Sequence, residues 1–310
     1  MKAIETVNLT KRFGNFVSVD DISFSVDQGE VFGFLGANGA GKSTTIRMLC
    51  GILSPSSGDA MVGGYSIVED PSMVKKSIGY MSQRFSLYND LTVEENISFF
   101  AGVYGISGTD LKGRKAQLLK NANLEGLEKT ITGDLPGGVK QRLALGTAVI
   151  HRPPIVFLDE PTSGVDPVSR RIFWDLIREL SDNGTTVFVT THYLEEAEYC
   201  SNIIFLNAGR IIAEGSPGKI KSDAIRGTMY HINCNPLIPA LQILPSFPGT
   251  IDVSAFGNSV HLLIGSGDHT RVSDEIVRYL TAHTITVSGI TTAVPSLEDV
   301  FIHLLEKENK

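Results

Sequence analysis

The chain has 310 residues, of which 42% are hydrophobic and 20% charged, with a formal net charge of −7. A length of this order suggests two domains at about 100–200 residues each, and the composition is that of a folded globular protein, which excludes a disordered one. The acidic balance argues against a nucleic-acid binder, which usually carries a basic face, while leaving room for a local basic patch.

Residues 1–80 read as short strands and turns: "AIETVNL", "ISFSVDQG", "EVFGFLG" and "DAMVGGYSIV" mix alternation with apolar runs bounded by Gly, Asn and Asp. "EVFGFLG" is almost wholly apolar, the pattern of a strand buried on both faces. Residues 85–150 read mostly as helix, through "TVEENISFFAGVYG", "DLKGRKAQLLKNANL" and "VKQRLALGTAVI". Strand "PPIVFLDE", helix "SRRIFWDLIREL", strand "TTVFVTTH" and helix "YLEEAEYC" follow, an alternation that predicts parallel βαβ units. "GSPGKIKSDAIRG" reads as a linker or a loosely held helix near residue 216. Beyond it the pattern predicts strand 228–234, helix 236–244, strands 250–256 and 258–265, helix 269–283, strand 284–291 and helix 296–307. The order β-α-β-β-α-β suits a ferredoxin-like split fold. The last helix has a start signal in Pro295, with Ser296 as N-cap and Asp299 three residues on. Cys50, Cys200 and Cys234 are scattered outside any metal-ligand spacing and read as free buried thiols in a reducing cytosol. No apolar run approaches the ~18 residues of a membrane-spanning helix, and the N-terminus lacks the apolar centre of a secretory signal. The expectation is a soluble cytoplasmic chain whose membrane role, if any, runs through a partner.

"FLGANGAGKST" contains G-x-x-x-x-G-K-[ST] at Gly36, Gly41, Lys42 and Ser43, after a predicted strand and before a helix. Glycines let backbone N–H groups approach phosphates, and the helix start adds partial positive charge. Lys42 is placed to bridge the β- and γ-phosphates, and Ser43 to ligate Mg²⁺. "IVFLDEPTSGVD" ends a buried strand in Asp159 and Glu160, at the edge where α/β sheets bind ligands. Asp159 suits Mg²⁺ coordination, and Glu160 suits polarising or deprotonating an attacking water. His192 also ends a strand and reads as a γ-phosphate sensor. Gln83 follows a strand in "IGYMSQRFSLYNDLT"; its amide could meet Mg²⁺ or the attacking water, or it is simply a surface glutamine.

Together these segments resemble the nucleotide-binding subunit of an ABC transporter, over residues 1 to about 220. "GANGAGKST" looks like Walker A and "IVFLDE" like Walker B; Gln83 matches the Q-loop, Ser163 to Asp166 the D-loop, His192 the switch histidine, and "LPGGVKQR" the LSGGQ-type signature. The resemblance implies a P-loop NTPase (RecA-like) α/β core with an antiparallel β subdomain and an α-helical subdomain at about 85–150, followed by the α+β accessory or regulatory domain at 228–310. It implies ATP held by Gly36, Asn38, Gly39, Gly41, Lys42, Ser43 and Thr44, with Mg²⁺ at Ser43, Gln83 and Asp159. Phe13 matches the aromatic that stacks on adenine; read alone it suits the core as well. The family pairs two subunits head to tail, as a homodimer or a heterodimer, so that Pro136, Gly137, Gly138 and Asp166 would face the other subunit's nucleotide. "VPSLEDVFIHLLEKE" looks like the C-terminal extension of the daunorubicin-resistance-like exporter group, in which permease subunits are separate membrane proteins.

One residue departs from the family. Its second signature residue is a serine whose hydroxyl reaches the γ-phosphate; here it is Pro136, with neither hydroxyl nor N–H. Gly137 and Gly138 keep their N–H groups ahead of helix 139–150, so one donor is lost, worth roughly 1.5–3 kcal/mol if its charged partner goes unpaired. The rival reading is a proline that only fixes the loop. Phe85, Leu87, Tyr88 and Leu91 could form a groove for a partner helix, or the core of the helical region. The alternative function is a soluble ABC ATPase acting on ribosomes, nucleic acid or chromosomes. A single nucleotide motif set, no long coiled-coil insertion and the acidic balance disfavour it.

Overall fold

The computed structural model describes residues 1–83, 86–224, 227–265 and 269–308. The chain divides into two compact units, Met1–Ser216 and Pro217–Lys310. The first contains strands β1 (Lys2–Phe13), β2 (Phe16–Asp27), β3 (Val31–Leu35), β4 (Ser57–Val62), β5 (Tyr65–Ser66), β6 (Ile78–Met81), β7 (Ile155–Asp159), β8 (Thr186–Thr191), β9 (Asn202–Asn207) and β10 (Arg210–Gly215). Its helices are α1 (Lys42–Leu49), α2 (Pro71–Ser77), α3 (Val93–Val103), α4 (Gly108–Asn121), α5 (Gly137–Val149) and α6 (Pro167–Asp182).

A six-stranded sheet runs in the order β10-β9-β3-β8-β7-β6, parallel except for the β9–β10 hairpin, and an antiparallel sheet runs β2-β1-β4-β5. Every residue of β3, β7 and β8 is buried, which is why these strands are nearly continuous apolar runs. The two sheets share one core. Phe24 of β2 packs on Phe32, Phe34 and Phe188 with ring centroids 5.6 to 6.2 Å apart, and Phe157 adds to Phe188 at 5.4 Å. Phe188 is fully buried at the centre of this cluster. Truncating it to alanine would cost about 3–5 kcal/mol.

Strands β6, β7, β8 and β3 are adjacent and parallel, so their carboxyl ends lie side by side along one edge. The helical segment α3 to α5 is inserted between β6 and β7. Helix α3 begins in a capping box: Thr92 Oγ1 accepts from Glu95 N–H, and Glu95 accepts from the Thr92 N–H.

The second unit contains α7 (Pro217–Ala224), β11 (Thr228–Asn235), α8 (Leu237–Ile243), β12 (Thr250–Phe256), β13 (Ser259–Ile264), α9 (His269–Ala282), β14 (Thr286–Ala293) and α10 (Leu297–Glu308). Its antiparallel sheet has the order β12-β13-β11-β14 around a core that includes Tyr230, Ile232, Leu262, Ile276 and Leu280. Ser296 caps α10: its Oγ accepts from Asp299 N–H at 3.1 Å, and Asp299 Oδ2 accepts from Ser296 N–H at 2.8 Å.

Several local expectations are corrected. The segment read as a linker or a loosely held helix takes the second form, as helix α7. Helix α5 starts at Gly137, not residue 139, and "YLEEAEYC" forms a short 3₁₀ turn, Leu194–Tyr199, not an α-helix. Strand β2 starts six residues before the predicted Ile22. Helix α2 and the β9–β10 hairpin were not predicted at all; each is short and was masked by the strand-like or helix-like run beside it.

Candidate nucleotide-binding site

The loop from β3 to α1 is shaped by its glycines. Gly39 has φ +82° and Gly41 φ +110°, backbone that side chains with a Cβ rarely adopt. A Cβ at Gly41 would stand 2.5 Å from the Ser18 carbonyl oxygen, so close packing fixes this position as well as conformation. Ala37, Asn38 and Gly39 are exposed at the tip, and Lys42 opens the helix. The Lys42 ammonium is buried at 4% exposure. It donates to Gly36 O at 2.7 Å and Ala37 O at 3.1 Å, and stands 3.2 Å from Glu160 Oε1. Thr44 Oγ1 accepts from Ser18 Oγ at 2.9 Å, which ties the helix start to β2.

Asp159 and Glu160 stand at the end of β7. Asp159 Oδ1 accepts from Ser43 Oγ at 3.0 Å and from Thr190 Oγ1 at 2.7 Å. Burial pushes its carboxyl above the usual range; the Thr190 and Ser43 hydroxyls pull it back, and the Glu160 charge adds to the rise. Glu160 has φ +47°, unusual for a residue with a side chain, and its N–H donates to both Thr190 O (3.1 Å) and Thr190 Oγ1 (3.0 Å). Its Oε2 accepts from Gln83 Nε2 at 3.0 Å and lies 3.2 Å from His192 Nδ1, without hydrogen-bond alignment. Three segments distant in sequence, carrying Lys42, Gln83 and His192, thus converge on one carboxylate.

Ser43, Asp159 and Gln83 offer hard oxygen donors, the type that Mg²⁺ takes. Among the described residues no group of three or more His, Cys, Asp or Glu side chains could hold a metal alone. A Mg²⁺ held by one carboxylate and by phosphate oxygens needs no such group, so the residues fit it.

A family model described as ABC transporter matches residues 19–163. The probable multidrug ABC transporter ATP-binding protein YbhF of Escherichia coli is 48% identical over 221 residues, 71% of this chain; the chain spans only 38% of that protein's length. The linearmycin resistance ATP-binding protein LnrL of Bacillus subtilis is 34% identical over 97% of both chains. The chain belongs to the family of ABC transporter ATP-binding proteins. Among solved structures of this family, cbiO1 from Clostridium perfringens, part of the ABC transporter complex cbiONQ, superposes with a TM-score of 0.66 at 28% identity, over 72% of this chain and 91% of its own. A dimeric ATP-binding cassette in a post-hydrolysis state, bound to ADP and Pi, gives 0.63 at 26% identity, over 69% of this chain and 98% of its own.

Other predicted residues of this ABC chain lie outside the Glu160 cluster. Phe13 is 49% exposed with the Lys11 ammonium 5.3 Å from its ring centroid, so it is a surface aromatic and not core. Pro136 is the N-cap of α5 and is exposed; its carbonyl accepts from Val139 and Lys140 N–H groups at 3.0 Å each. Gly137 is open on its Cβ side, while Gly138 is buried against Ser169 of α6, where a Cβ would collide. Asp166 caps α6 through Oδ1, accepting from Val168 N–H at 3.1 Å and Ser169 N–H at 2.9 Å; the bonds to Ser169 hold its carboxyl below the usual range. Leu87 is buried, whereas Tyr88 is 46% exposed and edge-on to Phe99 at 4.9 Å. Phe85 lies outside the described residues.

Sequence reasoning missed Thr190, Thr191 and Glu196. The signal was present: Thr190 and Thr191 are hydroxyls at the end of the apolar run "TVFVTT", directly before His192. No local signal marked Glu196 apart from its neighbours in "LEEAEY".

Proposed function

We propose that this chain is the ATP-binding and ATP-hydrolysing subunit of an ABC exporter, and that closure of two such subunits on MgATP drives separate membrane subunits. The observation that carries the reading is the meeting of Lys42, Gln83 and His192 on the Glu160 carboxylate. The 3.2 Å approach of Lys42 to Glu160 lets the cation that serves the phosphates and the carboxylate that serves water address the same γ-phosphorus. Ser43, Asp159 and Gln83 would hold Mg²⁺, which neutralises charge on the β- and γ-phosphates when bound. Glu160 orients and deprotonates the attacking water, and His192 senses the γ-phosphate. Asn38, Gly39 and Gly41 offer backbone N–H groups to the phosphates, and the exposed ring of Phe13 stacks on the adenine.

The second half of the site comes from the paired subunit, whose Gly137 and Gly138 N–H groups at the start of α5 and whose loop around Asp166 approach the same nucleotide. A dimeric arrangement is supported by the dimeric cassette structure among its relatives. Export is supported by the printed names of relatives: linearmycin resistance, Nod factor export and multidrug transport. Separate membrane subunits as the path are supported by the relatives' printed names, ATP-binding proteins of transport and resistance systems, and the half-exposed Tyr88 and Phe99 would stand at the docking face.

The test is ATP turnover by the purified chain, alone and with its membrane partner in vesicles. Turnover should depend on Mg²⁺ and be abolished in Lys42→Ala and Glu160→Gln. Wild-type protein that binds ATP yet shows no turnover above these variants, with or without the partner, would overturn the reading.

A further inference from the structure

Glu196 sits on the 3₁₀ turn after β8, outside every motif named above, and is 1% exposed. Oε1 accepts from Thr162 Oγ1 at 2.5 Å and faces Arg170 Nε at 3.5 Å; Oε2 accepts from Thr191 Oγ1 at 2.7 Å. The three partners come from three places: the loop after β7, the first turn of α6 and the last residue of β8. Thr162 is two residues from Glu160, and Thr191 is next to His192. Arg170 extends the brace, since its guanidinium lies 4.2 Å over the Tyr193 ring and donates to Val165 O at 3.5 Å. Burying a carboxylate is unfavourable unless it is fully paired, and an apolar side chain would fill the same space without that cost. What the charge provides here is fixed geometry between two loops that no backbone ladder joins beyond β8.

We propose that Glu196 is a positioning residue for ATP hydrolysis, keeping the loops after β7 and β8 in one register so that Glu160 and His192 meet. The inference rests on the ATPase reading above. Glu160 is held at φ +47°, so its position depends on anchors around it, and Thr162 is the first anchor downstream. Lys42 and the glycine loop hang on β3 and α1, whereas the carboxylate of Glu196 is engaged by Thr162, Thr191 and Arg170. Loss of the brace therefore lowers kcat and leaves ATP binding and KM in place, because a small misplacement of catalytic groups costs rate before it costs binding.

The experiment uses the full chain as wild type, Lys42→Ala, His192→Ala, Glu196→Gln, Thr162→Val and His192→Ala/Glu196→Gln. Turnover is divided by the fraction of protein that binds a fluorescent ATP analogue, which removes any loss through misfolding. Glu196→Gln should lose about 10- to 100-fold in kcat with KM within about twofold, and Thr162→Val should lose part of this. In the His192→Ala background Glu196→Gln should add little, since both act on one contact. A kcat per bound nucleotide near wild type, a parallel rise in KM, or effects of Glu196→Gln and His192→Ala that simply multiply would overturn the proposal. If Glu196→Gln does not fold, Thr162→Val, which leaves the charge paired with Thr191 and Arg170, carries the same decision. Wild type without turnover, both alone and with its membrane partner, would instead overturn the ATPase reading, a result distinct from an active wild type with an indifferent Glu196.

Discussion

Replacing Thr190 with valine probes how the paired acids at the end of β7 are held. Thr190 is fully buried, and valine keeps its branched shape and strand preference while deleting the hydroxyl. Two hydrogen bonds disappear, but they are not equivalent. The Glu160 N–H keeps its bond to the Thr190 carbonyl at 3.1 Å, so it is not orphaned. Asp159 loses a donor at 2.7 Å and, among the described residues, retains the Ser43 hydroxyl, at 3.0 Å, on a carboxylate that is 1% exposed. One bond to a charged group is worth about 1.5–3 kcal/mol, so that range, and not twice it, is the expected loss of stability. The titration moves in a fixed direction. The Thr190 bond lowers the Asp159 pKa against burial, so removing it raises the pKa further. If Asp159 acts as an anion, activity is present above its pKa and fails as pH falls through it; the acid limb of ATP turnover therefore shifts to higher pH in Thr190→Val. Urea unfolding of wild type and variant, with kcat measured across pH at saturating Mg²⁺, reads both effects. A stability change within about 0.5 kcal/mol together with superimposable acid limbs would refute this account of the site.

Asp159→Asn should be more heat-stable than wild type near neutral pH while losing turnover. Its carboxyl has a folded pKa above the unfolded one, so it favours folding below the unfolded pKa, and that contribution is lost as pH rises through the folded value; asparagine has no such dependence. The gap should close as pH falls through the carboxylate range, and a gap independent of pH in calorimetry would count against it. Gly41→Ala forces a Cβ to 2.5 Å from the Ser18 carbonyl at φ +110°, a misfit of about 1–3 kcal/mol that should displace the loop; nucleotide binding equal to wild type would contradict the argument. Pro136→Ser restores a hydroxyl at the start of α5, so ATP-driven dimerisation of a Glu160→Gln background should tighten by up to about 1.5–3 kcal/mol. Light scattering that shows dimerisation unchanged or weaker would favour a proline that only fixes the loop.

What could be read from the sequence was whatever is encoded over a few consecutive residues. The apolar runs of β3, β7 and β8 announced buried parallel strands, the glycine-rich motif announced a loop between a strand and a helix, and Ser296 with Asp299 announced the start of α10. What failed was length and neighbourhood. The β9–β10 hairpin is plain in "NIIFLNAGRIIAEG" once isolated, but it follows directly on a segment read as helix, and α2 is only seven residues long. Glu196 was hidden for a different reason: Thr162, which ties it to the loop after β7, is 34 residues away, and nothing local separates it from Glu195 or Glu198. Asp166 shows the converse, since its most direct use within one chain is to cap α6, a local role that any Asp before Pro-Val-Ser could fill. The two cases follow from one constraint. A strand buried on both faces must end in polar groups where it leaves the core, and each of those groups needs a partner. Sequence marks where the groups are; only the adjacency of β7 and β8 decides that Asp159 and Thr190 bond each other and that the partner of Thr191 is a glutamate in the turn beyond.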